Sequence, residues 1–358
     1  MTKSAPSRRD VGGLITLGLV ALAVVPLIWH IAHRAQAAHS DDPALTAKLA
    51  DTVPPGTTLV VGDPITEHVI KLNGWDKDLP FHIQWANLSG GPQVNQAFQA
   101  KALDIGSAAD IPPIHATWIG IPVKIVAYRL RADPITYPTY TLGIAPGTNI
   151  ATLADLKGKR IAYSAGQAQG VVVLRTLQAA HVRQQDVTLV DLPASATVYV
   201  EALAARQVDA APIAAGLQAK RYVDDYGAQG GKVLSHGAFR DDPALLYARA
   251  DVLADPAKAA ALRQYVRLWA RAQRWVDSHR QVWVNTYYVK DQGVTPQEGE
   301  VIARSAGSLD LPRQWDGVIT LQQQTVDFLA AETHRKPFDA AILFDRRFEH
   351  VPEEPGAQ

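Results

Sequence analysis

Three turns carry the residues whose types and spacing could do chemistry. Asn87-Leu88-Ser89-Gly90-Gly91-Pro92-Gln93 and Ala108-Ala109-Asp110-Ile111-Pro112-Pro113 each follow a short apolar run and open a helix-like segment. A strand that stops at a small-residue turn, where a helix begins, leaves backbone N–H groups without partners. Such a helix start attracts an anion without needing a charged side chain. Ser164-Ala165-Gly166-Gln167-Ala168-Gln169 repeats the arrangement later in the chain. The expectation is a ligand cleft with the first two turns on one wall and the third opposite. The candidate ligand-binding residues are Ser89, Gly90, Gly91, Gln93, Ala109, Asp110, Ser164, Gly166, Gln167, Gln169 and Ser195.

Each candidate also has a purely structural reading. Ser89-Gly90-Gly91 serves as a strand-to-helix turn in which Gly supplies positive φ. Asp110 reads as the N-cap of the helix that follows, and its carboxylate would repel an anion unless an Arg stands nearby. Ser164, Gln167 and Gln169 read equally as a solvated turn and as pocket donors. Ser195 and Thr197 read as caps of the next helix.

Other chemistries find no support. His68, His82, His115, His181 and His236 are scattered, with no His-Glu-x-x-His or His-x-x-Glu-His spacing for a zinc hydrolase. There is no Gly-x-Ser-x-Gly elbow and no phosphate loop ending in Gly-Lys-Ser/Thr. The chain has no Cys, which removes disulfides, zinc-thiolate sites, thiol nucleophiles and lipidation at Cys. With 35 basic and 35 acidic residues the net charge is zero, which argues against nucleic acid as a partner. No catalytic residue, metal or cofactor is expected.

The elements that must position these turns alternate. Thr58 to Gly62, Phe81 to Ala86, Leu103 to Ser107 and Val123 to Tyr128 read as strands, with helices over Ile65 to Leu72, Pro92 to Lys101 and Ile111 to Trp118. A second series of strands follows at 141–145, 159–163, 187–192, 208–213 and 232–235, with helices at 169–180, 197–206 and 216–226. This order predicts an α/β protein with two mainly parallel sheets flanked by helices. Leu245 to Ala248 reads as a strand carrying the chain back to the first unit. From Pro256 the pattern is helical, with Leu262, Val266, Trp269 and Val276 at helical spacing. That tail is expected to pack on one lobe.

The N-terminus reads as an export signal over residues 1–37. Lys3, Arg8 and Arg9 precede an uncharged run from Val11 to Ala32, and Ala35-Gln36-Ala37 suits a signal peptidase. Ser7-Arg8-Arg9-Asp10-Val11 is similar to a twin-arginine signal, departing from it at Gly12-Gly13. The alternative is an uncleaved anchor, since roughly 20 apolar residues span a bilayer. A linker over residues 38–57 follows.

In order, Ser89-Gly90-Gly91-Pro92, Leu103-Asp104-Ile105-Gly106, Ala109-Asp110-Ile111-Pro112-Pro113, Leu153-Ala154-Asp155-Leu156-Lys157-Gly158-Lys159-Arg160, the turn at Gly166 and Val208-Asp209-Ala210 form a familiar set. Residues from about 58 to 348 resemble the periplasmic substrate-binding proteins of bacterial ABC importers, of the sulfonate, nitrate and taurine type. The resemblance implies the type II two-lobed fold, with lobe I over 58–143 and 241–350 and lobe II over 144–240. Crossovers would lie near Ile144-Ala145 and His236 to Asp242. It also implies a small organic anion, most simply an aliphatic sulfonate, held between the lobes of a periplasmic monomer and delivered to an inner-membrane permease. The chain departs from that pattern at Ala214-Ala215-Gly216, where many relatives carry a bulky Trp-Asp-Pro-like turn. It departs again at Gln167 and Gln169, where many carry hydroxyls. The runner-up readings are an enzyme on the same scaffold and a membrane-tethered ligand sensor. Pyrimidine-synthesis and menaquinone-pathway enzymes share that scaffold.

Overall fold

The computed structural model describes residues 43–88 and 90–353. The expected export signal, the start of the linker and Ser89 lie outside the described residues. Among those described, no helix is long and apolar enough to cross a membrane. The rest of the expected linker is not loose. Leu49 and Val53 are buried in the core of the first lobe, and Arg347 holds the Ala47 carbonyl at 3.2 Å.

The first lobe is built on a six-stranded sheet, in the spatial order β11-β4-β10-β3-β1-β2. Its strands are β1 (Thr58–Gly62), β2 (His82–Trp85), β3 (Ile105–Ala109), β4 (Val123–Arg131), β10 (Ala244–Arg249) and β11 (Leu309–Asp310). Helices α1 (Pro64–Asn73), α2 (Gly91–Gln99) and α3 (Ile111–Trp118) follow β1, β2 and β3. β1 pairs in parallel with β2 and β3, as βαβ connections require. β10 runs antiparallel between β3 and β4. The sheet is therefore mixed rather than mainly parallel. β10 returns from the other lobe and enters without a crossover helix, so nothing forces it into the parallel direction.

The second lobe holds a five-stranded sheet in the order β7-β6-β8-β5-β9. These strands are β5 (Tyr140–Ile144), β6 (Arg160–Tyr163), β7 (Thr188–Asp191), β8 (Ala210–Ala214) and β9 (Lys232–Leu234). Helices α4 (Ala168–Ala179), α5 (Ala196–Ala204) and α6 (Leu217–Tyr226) flank it. β6 is parallel to β7 and β8, and β5 is antiparallel to β8 and β9. Because β5 belongs to this sheet, the chain changes lobes over residues 132–139, ahead of the expected boundary at 143/144. It returns over residues 235–243.

One carboxylate ties the two connections together. Asp241 accepts from the backbone N–H of Thr139 (2.8 Å) and Tyr140 (2.7 Å), and its other partner is the buried His236 imidazole at 2.9 Å. Buried carboxylates need such donors to offset desolvation.

The tail begins with α7 (Ala250–Ala254) and the long α8 (Pro256–Ser278), which Asp255 caps by accepting from Ala257 and Lys258 N–H. α9 (Arg280–Trp283) runs into a π-helical segment, Val284–Asp291, and then α10 (Pro296–Ser305) and α11 (Asp316–Thr333). This tail does not stay on one lobe. Arg221 of α6 pairs with Glu298 of α10 at 2.6 Å, and α11 reaches α4 through Thr325 and Arg175.

Candidate functional site

The starts of α2 and α3 lie side by side at the carboxyl end of the first sheet. Gly90 caps α2 with φ 87°, and Gly91 begins it. A Cβ at Gly91 would sit 2.0 Å from Pro112 Cγ, so only Gly lets the two helices approach this closely. Asn95, buried, donates to the Pro112 carbonyl (3.0 Å) and accepts from Tyr247 (2.9 Å), fixing both starts to β10. The prolines that set these starts also remove donors. α2 keeps the N–H groups of Gly91 and Gln93, while Pro112 and Pro113 leave α3 with Ile111 alone among its first three positions. The α3 start is a poorer anion site than the turn pattern suggests.

Asp110 is not the helix cap that its position suggests. Its side chain makes no capping bond, and its backbone is already helical at φ −73°, ψ −15°. The carboxylate is buried and its Oδ2 accepts from Thr325 at 3.4 Å, while Arg175 donates to the same Thr325 at 2.9 Å. Burial pushes the Asp110 carboxyl up to about 6, against the pull of the Arg175 charge. Arg175 also donates to the Arg240 carbonyl at 3.2 Å. One network thus joins α3, α11, α4 and the second connection between the lobes.

The turn from the other lobe meets α3. Gly166 has φ 77°, which L side chains rarely adopt, and a Cβ there would lie 3.3 Å from the His115 ring. Gln167 occupies the cap position of α4, with no side-chain capping bond. Its carbonyl accepts from Gly170 N–H at 3.1 Å, and the N–H groups of Ala168 and Gln169 have no acceptor among the described residues. Ser164 is buried behind them. Ala109 ends β3 opposite Ala244, and Gln93 is exposed on α2. Ser195 is the cap its sequence suggests, accepting from Val198 N–H at 3.2 Å.

Between the lobes is a recess of ≈ 190 Å³ lined by His115, Tyr163, Gly166, Gln167, Thr333 and Arg335, among others. The Arg335 guanidinium lies over the Trp118 ring at 5.3 Å and has no ion pair among the described residues. Burial, with the Arg335 charge beside it, holds the His115 imidazole down at about 4, so it is neutral near pH 7. The recess therefore presents a guanidinium, the hydroxyls of Tyr163 and Thr333 and the Gln167 amide, with no carboxylate among its lining residues. This is the chemistry of an anion site. Of the residues the sequence singles out as ligand candidates, Gly166 and Gln167 line this recess; Tyr163, Thr333 and Arg335, which also line it, are not among them, and His115 is named there only for lacking metal-site spacing. No local motif marks a residue that follows a helix end some 170 positions away; the available signal was Trp118, whose ring could receive an Arg.

The departure at Ala214-Ala215-Gly216 has a steric cause. Gly216 has φ 78°, and a Cβ there would fall 2.2 Å from Ser305 Oγ. α10 occupies the space that a bulkier turn would need. Among the described residues no group of three His, Asp or Glu side chains is placed to hold a metal.

Comparison with known proteins agrees with this architecture. Residues 84–259 match the family model described as NMT1/THI5 like. A protein of Escherichia coli (strain K12) named for binding aliphatic sulfonates is 31% identical over 105 residues, which is 29% of this chain and 32% of that protein. The match thus spans about a third of that relative's length. The alkanesulfonate-binding protein SsuA of Xanthomonas axonopodis pv. citri, bound to MOPS, superposes with a TM-score of 0.67 at 22% identity, covering 81% of this chain and 98% of its own. The periplasmic aliphatic sulphonate binding protein SsuA of Escherichia coli does so with a TM-score of 0.66 at 20% identity, covering 83% and 99%. The desulfurization enzyme DSZB shares the fold more distantly, with a TM-score of 0.55 at 13% identity, covering 82% and 97%. The chain is a two-lobed protein of the type II periplasmic-binding-protein fold, similar over residues 84–259 to the NMT1/THI5-like family model and over 105 residues to a protein named for binding aliphatic sulfonates.

Proposed function

We propose that this protein is the non-enzymatic solute-binding component of an ABC importer, and that it captures a small organic anion, most simply an aliphatic sulfonate, between its lobes. The observation that carries the reading is the interlobe recess, where Arg335, Thr333 and Gln167 share one lining with a neutral His115. A sulfonate has three acceptor oxygens spread over one charge. A guanidinium beside hydroxyl and amide donors matches that better than a single ammonium would. Tyr163 and Leu329 in the same lining offer apolar surface to a short alkyl chain.

Donors come from both lobes and from the tail, so a ligand that bridges them favours the closed arrangement, with the connections held by Asp241 as the hinge. Release then needs only that the lobes part, which suits delivery to an inner-membrane permease. The family resemblance and the basic, apolar N-terminal sequence support export to the periplasm. The similarity to a desulfurization enzyme does not favour catalysis here, because the chain has no Cys to act as nucleophile and the recess offers no paired acid and base.

A thermal-shift panel tests the reading. Short alkanesulfonates, taurine, nitrate and sulfate esters are added to the full chain at constant ionic strength. A ligand at 100 times its Kd should stabilise the folded state by about 2.7 kcal/mol. If no organic anion shifts the transition beyond sodium chloride, the anion reading fails.

A further inference from the structure

A second recess lies wholly within the first lobe and its tail, at the carboxyl end of β4. It offers ≈ 80 Å³ of space open to water, and its lining includes Arg129, Arg131, Gln273, Arg280, Trp283 and Tyr288. None of the candidate ligand residues contributes to it. A single water needs roughly 10–15 Å³ by this measure, so the space accepts several waters or one small polyatomic ion.

Three of the side chains that line it are donors without partners among the described residues. Gln273 is only 8% exposed and its amide has no hydrogen-bond partner among the described residues. The Arg129 guanidinium likewise has neither ion pair nor hydrogen bond among them. Asp63 and Asp242 act on it only from beyond ion-pair distance, while Arg131 repels it. Arg131 spends one N–H on the Tyr137 carbonyl. The lone carboxylate of the lining, Asp277, is engaged by Arg280 at 2.9 Å, and Arg280 is held further by the carbonyls of Ala303 and Gly307. The Tyr288 hydroxyl has no hydrogen-bond partner among the described residues and sits near both Arg129 and Arg131. Unpartnered donors and like charges facing one enclosed space are costly unless an acceptor enters it.

We infer that this recess is a second anion site, separate from the one between the lobes, which takes a small oxyanion group through Arg129, Gln273 and Tyr288. The bound group would accept from the guanidinium in the fork geometry that suits sulfate, phosphate or carboxylate oxygens. It would also relieve the repulsion between Arg129 and Arg131, so occupancy stabilises the junction of β4, α8 and α9. The inference does not depend on what the interlobe recess binds.

The test uses sulfate as probe, with sodium chloride at matched ionic strength, on chains carrying Arg335→Ala to weaken the interlobe recess. The expected result is a saturable rise in Tm. Adding Arg129→Gln should weaken the half-saturating response at least tenfold. It should also raise the sulfate-free Tm, because an uncompensated charge has been removed from a semi-enclosed site. Should Arg129→Gln fail to fold, Gln273→Leu in the same background gives the same weakening. A response that does not saturate, or one unchanged by both substitutions, overturns the second site.

Discussion

At the scale of single residues, the most informative group is Asp110. A carboxyl just before a helix is ordinarily a cap, and that is how its sequence position reads. The fold instead buries it beneath α11, where Thr325 is its side-chain partner and Arg175 its nearest compensating charge. Its folded pKa, about 6, lies above the ordinary 3.8, so the folded state holds the proton more tightly than the unfolded state does. The sign follows: the penalty is absent below about pH 3.8, grows as pH rises towards 6, and is complete above it. Asp110→Asn should therefore match the parent at pH 4 and exceed it at pH 7, by on the order of 2–3 kcal/mol. Urea unfolding of both chains at the two pH values reads this directly, and an equal difference at both pH values would contradict the burial account. Gly91 shows the opposite relation between sequence and structure. Its turn is legible as a sequence, yet the reason for Gly is Pro112, which only the folded chain brings near.

At the scale of elements, local patterning found nearly every strand and helix and failed where the partner is distant. β4 was legible to Tyr128 as a run that is apolar except at Lys124, but it continues through Arg129-Leu130-Arg131. There burial alternates, with Leu130 buried and Arg129 and Arg131 only partly so, while β11 pairs Leu309 with Arg131 along the strand edge. The first turn of α11 carries little local helix signal. Gly317, Val318, Ile319 and Thr320 are weak helix formers, and the Trp315 N–H that precedes them is satisfied by Glu349 at 2.6 Å, far along the chain. The tail was expected on one lobe because periodicity shows that a helix has an apolar face but not what covers it. Arg175 of α4 is where the tail, the hinge and α3 meet. Replacing it with Met should cost about 2–4 kcal/mol, since Asp110 would lose its compensating charge. In an Asp110→Asn background the same replacement should cost markedly less. A double-mutant cycle by chemical denaturation at pH 7 measures that coupling, and additive effects would remove Arg175 from the network.

At the scale of the whole molecule, the two lobes and their order were legible, because βαβ patterning is carried by local sequence, and the fold superposes on solved structures at only 22% and 20% identity. The exact hinge was not, because β5 reads as a strand whichever sheet it joins. Of the proposed recess, only the turn at Gly166 and Gln167 is legible from turn chemistry; the turns at 87–93 and 108–113 do not line it, and Thr333 and Arg335 arrive from the end of α11. Function on this reading requires that an organic anion be held between the lobes through Arg335. The most direct measurement is a calorimetric titration of a short alkanesulfonate into the parent chain and into its Arg335→Ala and Arg129→Gln variants. The prediction is one ligand per chain, weakened at least tenfold by Arg335→Ala, on the order of 1.4 kcal/mol or more, and unchanged by Arg129→Gln. Binding that is absent in the parent, or equally strong without Arg335, would contradict it.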